Sequence, residues 1–220
     1  MTAGRRVPVD EGRSPSRFAR ATNRAHDARS MTLPQRLARH LDARRRLEIG
    51  DPDAISCAVL VPLVPVGDDY DVVYTLRSQH LPSHKGQVAF PGGKRSKDET
   101  LVNTALRESA EEIGLDPAHV QIVGCLDDVT TMAGQYVITP WVGLLPPAYE
   151  FQPNPGEVAD VFSVPLSALG DPRHHASSTK RWGGNDYEIS IITAGRHEIW
   201  GATHQITMNF LERIEEAQRR

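Results

Sequence analysis

The period of the hydrophobic positions changes several times along this chain, and each change predicts a different element. In "MTLPQRLARHLDARRRLEI", Leu33, Leu37, Leu41 and Leu47 predict an amphipathic helix. "AISCAVLVPLV" is a nearly continuous apolar run, suited to a strand buried on both faces. After a turn at Gly67, Asp68 and Asp69, "DYDVVYTLRS" alternates, with Val72, Tyr74 and Leu76 on one face and Val73, Thr75 and Arg77 on the other. A loop containing Pro82, Gly86, Pro91, Gly92 and Gly93 then leads into a helix, with Thr100 or Asp98 as its N-cap and Gly114 ending it. Leu101, Val102, Ala105, Leu106, Ala110 and Ile113 form its buried stripe, leaving Glu108, Glu111 and Glu112 largely on the remaining face.

Downstream, "VQIVGCLDDV" and "QYVITPWVGLL" predict neighbouring antiparallel strands. A short strand from Glu157 and a small helix near Leu166 to Leu169 follow. Residues 171–186 are polar and glycine-rich and predict a loop, with the adjacent His174 and His175 solvated in it. "YEISIIT" and "HEIW" read as strands, and Ile206, Phe210 and Ile214, four apart, predict a C-terminal helix. Strands and helices in this mixed order point to an α/β sandwich.

Composition narrows the function. The net charge of −3 over 220 residues hides an asymmetry: residues 1–30 hold seven arginines against Asp10, Glu11 and Asp27, a surplus of four, which leaves −7 on the rest. An acidic body argues against nucleic-acid binding, which rests on many cationic phosphate contacts. Residues 1–30 lack apolar periodicity and predict a disordered Arg-rich tail, with residues 31–220 as a single domain. An organelle transit peptide or a weak anionic contact are functional readings of the tail, but its acids spoil the transit pattern. An inert extension before a true start at Met31 is favoured. Cys57 and Cys125 sit in apolar runs and read as buried thiols of a reducing compartment. With no apolar run of about 18 residues, no membrane span is expected and the location reads as cytoplasmic.

The acidic helix needs explaining. Glu108, Glu111 and Glu112 crowd one turn of it. Such neighbours repel by roughly 0.2–0.5 kcal/mol per pair. They also stand near the negative end of the helix dipole, and a bound cation would offset both costs. The stretch "GKRSKDETLVNTALRESAEEIGL" resembles the Nudix box: Gly93, Glu99, Arg107, Glu108, Glu111, Glu112, Gly114 and Leu115 match in identity and spacing. Only Ser109 departs, standing where an aliphatic residue is usual.

The resemblance implies a Nudix-type α/β/α sandwich with a mixed β-sheet. It also implies a hydrolase that splits nucleoside diphosphate derivatives using Mg²⁺ or Mn²⁺. Glu108 and Glu112 would be the main metal ligands, Glu111 a third, and the Gly93 carbonyl a backbone ligand. Arg107 would orient the carboxylates, and Glu99 would hold Arg107 or the loop. Glu157 is a candidate base outside the box, and Asp127 and Asp128 are further candidates for the cleft.

Upstream, "VYTLRSQHLPSHKGQVAFPGG" resembles the extra motif of the family's coenzyme A diphosphatases. Thr75, Arg77, Ser78, Leu81, His84, Gly86, Val88, Phe90, Pro91, Gly92 and Gly93 match, while Val73 and Tyr74 replace leucines. Arg77, His84 and Lys85 become candidates for substrate phosphates. The lack of side chains at Gly92 and Gly93 would let backbone approach phosphate and metal. The expected substrate is coenzyme A or an acyl form, cleaved to 3′,5′-adenosine bisphosphate and 4′-phosphopantetheine. An oxidised nucleotide or a dinucleotide is the alternative, and a non-catalytic nucleotide-sensing or RNA-contacting module is the competing class. The expected partner is the small-molecule substrate, with no membrane or nucleic acid, and a homodimer is left open.

Overall fold

The computed structural model describes residues 31–131, 134–182 and 184–219. The Arg-rich segment 1–30 lies outside the described residues.

The chain enters through helix α1 (Leu33–Ala43) and strand β1 (Ile55–Val66), around which the main sheet is built. β1 runs parallel to β7 (Tyr136–Leu144), in register from Ile55↔Tyr136 to Leu63↔Leu144. On its other side it pairs antiparallel with two strands in succession. β4 (Gly92–Lys94) covers Cys57 to Val59, and β2 (Asp69–Arg77) covers Leu63 to Val66. Leu60 N–H points to this side, bonding Pro91 O at 2.9 Å. By alternation position 62 faces the same way, where β4 has ended and β2 has not begun. Pro62 therefore forfeits no ladder bond. β3 (Val88–Ala89) and β8 (Val158–Pro165) pair with β2, while β5 (Gln121–Cys125) and β6 (Val129–Thr130) pair with β7.

Strand alternation divides the core in two. Val61, Leu63, Val72 and Tyr74 face one side, which α1 and the C-terminal helix α4 (Gly201–Arg219) cover with Leu37, Leu41, Ile206, Phe210 and Ile214. Ala58, Leu60, Val64 and Val73 face the other, beneath Ala105 and Ile113 of α2 (Leu101–Ile113). The short helix α3 (Leu166–Leu169) follows β8. The result is a mixed sheet between helices, the expected α/β/α arrangement.

Three expectations need correction. Residues 171–186 are not a loop. A 3₁₀ turn (Pro172–His174) leads into β9 (His175–Trp182), which pairs with β10 (Asn185–Ala194), itself paired with β11 (His197–Trp200). β9 is an edge strand of mostly polar residues, exposed or part-exposed and none of them buried among those described, so no buried face writes an alternation into its sequence. His175 is not simply solvated, because its Nε2 meets Leu169 O at 2.8 Å. Leu47 is 62% exposed, since α1 ends at Ala43 and the chain beyond it is irregular up to β1.

Candidate active site

Helix α2 is bounded by local chemistry. Thr100 Oγ1 accepts the Asn103 N–H at its start. At its end Gly114 adopts φ 66°, its N–H donating to Ala110 O while Leu115 N–H reaches back to Ser109 O. The buried face differs from the predicted stripe. Thr104, Ala105, Ser109, Glu112 and Ile113 are buried, while Leu101, Val102, Leu106 and Ala110 are only partly so. Ser109, fully buried, satisfies its hydroxyl by donating to Ala105 O at 2.7 Å. Glu112 is the larger surprise, at 4% exposure.

Glu112 is buried because β4 crosses over it. Gly92 N–H donates to its Oε2 at 3.1 Å, and Arg77 Nη1 lies 3.7 Å from its Oε1. The glycines permit the approach. A Cβ at Gly92 would lie 2.4 Å from Ala58 O, and one at Gly93 would lie 2.4 Å from the Glu108 carboxylate. The last carbonyls of α2 are capped from downstream, with Gln152 N–H donating to Ile113 O and Asn154 N–H to Glu112 O, both at 2.9 Å. This capping segment carries Glu157 into the field of Glu112, and Glu157 O also accepts Ser78 N–H at 2.8 Å, beside Arg77.

Arg107 organises the other acids. Its Nε and Nη2 fork onto Glu99 at 2.9 and 3.1 Å, and its Nη1 reaches Glu108 at 2.9 Å and Glu111 at 3.2 Å. Its Nη2 also donates to Lys94 O at 3.3 Å, tying β4 to the helix. The guanidinium, seconded by the Thr104 hydroxyl, holds the Glu99 carboxyl down at about 2.

Among the described residues no three acidic, histidine or cysteine side chains close around a common point, since Arg107 draws Glu108 and Glu111 toward itself. The donor set nevertheless fits a hard divalent cation. Burial pushes Glu112 up to about 7; the Gly92 N–H and Arg77 oppose this, while the charges of Glu108 and Glu157 reinforce it. The N–H and the guanidinium compensate the carboxylate only in part, and an oxygen-ligated cation held by it, Glu108 and the Gly93 backbone would supply the missing charge.

Two groups of candidates lie apart from these acids. His84, at φ 55°, and Lys85 are exposed on the loop before β3, with His84 Nδ1 2.9 Å from Gln87 Oε1. Asp127 and Asp128 do not line the carboxylate cleft. Asp127 binds Arg44, Leu47 N–H and Asn209, and Asp128 binds Arg46, Ile49 N–H and Thr139. Both fasten the segment after α1, a role invisible in sequence because their partners in that segment lie some 80 residues upstream.

The NUDIX domain family model matches residues 58–182, which take in nearly all of the main sheet, the glycine loop and the acidic helix. The chain belongs to the Nudix family. Proteins named "Uncharacterized Nudix hydrolase NudL" are similar to it at sequence level. The one from Photorhabdus laumondii is 39% identical over 160 residues, covering 72% of this chain and 84% of that protein. The one from Enterobacter sp. (strain 638) is 35% identical over 179 residues, covering 80% and 92%. The crystal structure of a MutT/nudix family protein from Enterococcus faecalis is similar in fold, with a TM-score of 0.52 at 15% identity, covering 93% of this chain and 76% of that one.

As a Nudix hydrolase the chain is an enzyme acting on nucleoside diphosphate derivatives, which sets aside the non-catalytic sensor. Nudix hydrolases generally use divalent ions such as Mg²⁺ or Mn²⁺. Among the described residues no helix is long and apolar enough to cross a membrane.

Proposed function

We propose that this Nudix hydrolase cleaves the diphosphate of coenzyme A or an acyl-coenzyme A, releasing 3′,5′-adenosine bisphosphate and 4′-phosphopantetheine or its acyl form. One observation carries the reading: the upstream motif returns both of its ends to a single buried carboxylate, with Arg77 and the Gly92 N–H on either oxygen of Glu112. The motif that resembles coenzyme A diphosphatases is thus continuous with the acidic helix.

Glu108, Glu111 and Glu112, with the Gly93 carbonyl, would hold Mg²⁺ or Mn²⁺. Bound there, the ion supplies positive charge to the phosphoryl oxygens and acidifies an attacking water. Arg107 and Glu99 set the carboxylates. Arg77, anchored at Glu112 and still 26% exposed, offers its remaining N–H groups to a phosphoryl oxygen. Glu157 accepts the proton of the attacking water as general base. Water adds to one phosphorus, the bridging P–O bond breaks, and two phosphomonoesters leave with one proton released. His84 and Lys85, exposed on the motif's loop, would meet the 3′-phosphate that distinguishes coenzyme A from most nucleotides.

The test is a substrate panel with Mg²⁺ and with Mn²⁺, its products identified by mass spectrometry. Coenzyme A or an acyl form should show the highest kcat/KM. If ADP-ribose, NADH, oxidised nucleotides or dinucleotides match it, the substrate assignment fails while the hydrolase assignment stands.

A further inference from the structure

Glu99 is held by more than the guanidinium. Thr104 is fully buried, and its Oγ1 lies 2.8 Å from Glu99 Oε2 and 3.2 Å from Thr100 O. A hydroxyl has one proton, and the nearer, ionised acceptor takes it. A threonine within a helix commonly bonds back to the carbonyl four residues earlier. Here the hydroxyl is instead committed to a carboxylate in the preceding loop. That same Oε2 also accepts Ser96 N–H at 3.3 Å and Arg107 Nη2 at 3.1 Å. Thr104 and Ser96 together fix the carboxylate plane, the plane fixes the direction of the fork, and the fork fixes where Nη1 meets Glu108 and Glu111.

We propose that Thr104 is a positioning residue for the reaction, acting through Glu99 and Arg107 to set the Glu108 and Glu111 carboxylates. This rests on the reading that those acids hold the divalent cation. A merely structural role makes a different forecast. Valine has the shape of threonine and no hydroxyl to satisfy, so Thr104→Val would then be close to neutral at the site. In the positioning role, losing the hydroxyl frees Glu99 to turn, and the two carboxylates it indirectly holds drift with Arg107. Serine keeps the hydroxyl and should keep the geometry.

The experiment binds Mn²⁺ alone to the full-length chain, reading free Mn²⁺ by electron paramagnetic resonance, beside melting curves of the metal-free proteins. Thr104→Val should weaken Mn²⁺ binding about 10-fold, the scale on which outer partners of metal ligands act. Thr104→Ser should bind as the wild type does. Thr104→Ala serves in place of the valine variant if that one does not fold, and should show the same loss. Wild-type Mn²⁺ affinity in the hydroxyl-free variant overturns the proposal, as does a serine variant equally impaired. If the wild type itself takes up no Mn²⁺, the cation-cradle reading fails first, an outcome distinct from either of these.

Discussion

Glu112 is costly where it stands. It is 4% exposed, with one backbone N–H and a guanidinium at 3.7 Å, and burial pushes it from 4.5 up to about 7. Between those two pH values the folded chain keeps a proton there that the unfolded chain has released. The cation-free protein therefore loses stability as pH rises from about 4.5 to about 7, whereas below 4.5 both states hold the proton and the group contributes nothing. Glu112→Gln removes the titrating group. In melting curves without metal, the variant should gain on the wild type steadily across that window, and a pH-independent gap would refute the argument. Saturating Mn²⁺ should then stabilise the wild type more than the variant, because an uncharged amide replaces one of the ionised ligands. Turnover should fall by about 10³-fold in Glu112→Gln, corresponding to about 4 kcal/mol of lost charge stabilisation.

The short strand β4 carries two glycines whose reasons differ, and their alanine variants should separate. A Cβ at Gly92 would meet backbone, 2.4 Å from Ala58 O and 2.5 Å from Val59 Cα, at a φ of 154°. Neither atom can move without disturbing β1, so Gly92→Ala should cost about 3 kcal/mol or more of stability. The nearest atoms to a Cβ at Gly93 would be the far end of the Glu108 side chain, which can swing aside. Gly93→Ala should therefore melt near the wild type yet lose about 10²-fold in kcat, the scale of an ångström-sized misplacement. Equal losses of stability in the two variants would contradict this division of roles. The same strand shows where the sequence is legible. Helix α2 could be read because its caps and its period are local, and Thr100 and Gly114 act on their own neighbours. The burial of Glu112 could not, since the strand that buries it comes from twenty residues upstream. Ser109 and Thr104 were hidden for a related reason: each is a polar residue made suitable for the core by a single partner.

At the scale of the molecule, the sheet separates stability from chemistry. The acids of α2 lie over one face, while α1 and α4 close the core on the other. The irregular segment that leaves α1 is fastened by Asp127 and Asp128, and their side-chain bonds to Arg44 and Arg46 are 2.8 and 2.6 Å long. Asp128 is 8% exposed and uses both oxygens: Oδ1 accepts Arg46 Nη1 and Thr139 Oγ1, and Oδ2 accepts Ile49 N–H. In Asp128→Asn, an amide nitrogen set at either position faces a donor. The change removes the charge on a short ion pair and leaves at least one buried donor unmatched. The expected cost is about 2–3 kcal/mol, or about 5–10 °C in Tm for a domain of this size. None of those contacts reaches Glu108, Glu111, Glu112 or Arg77, so kcat and KM at 25 °C should equal the wild type's. A fall in kcat without a fall in Tm would return Asp128 to the active site.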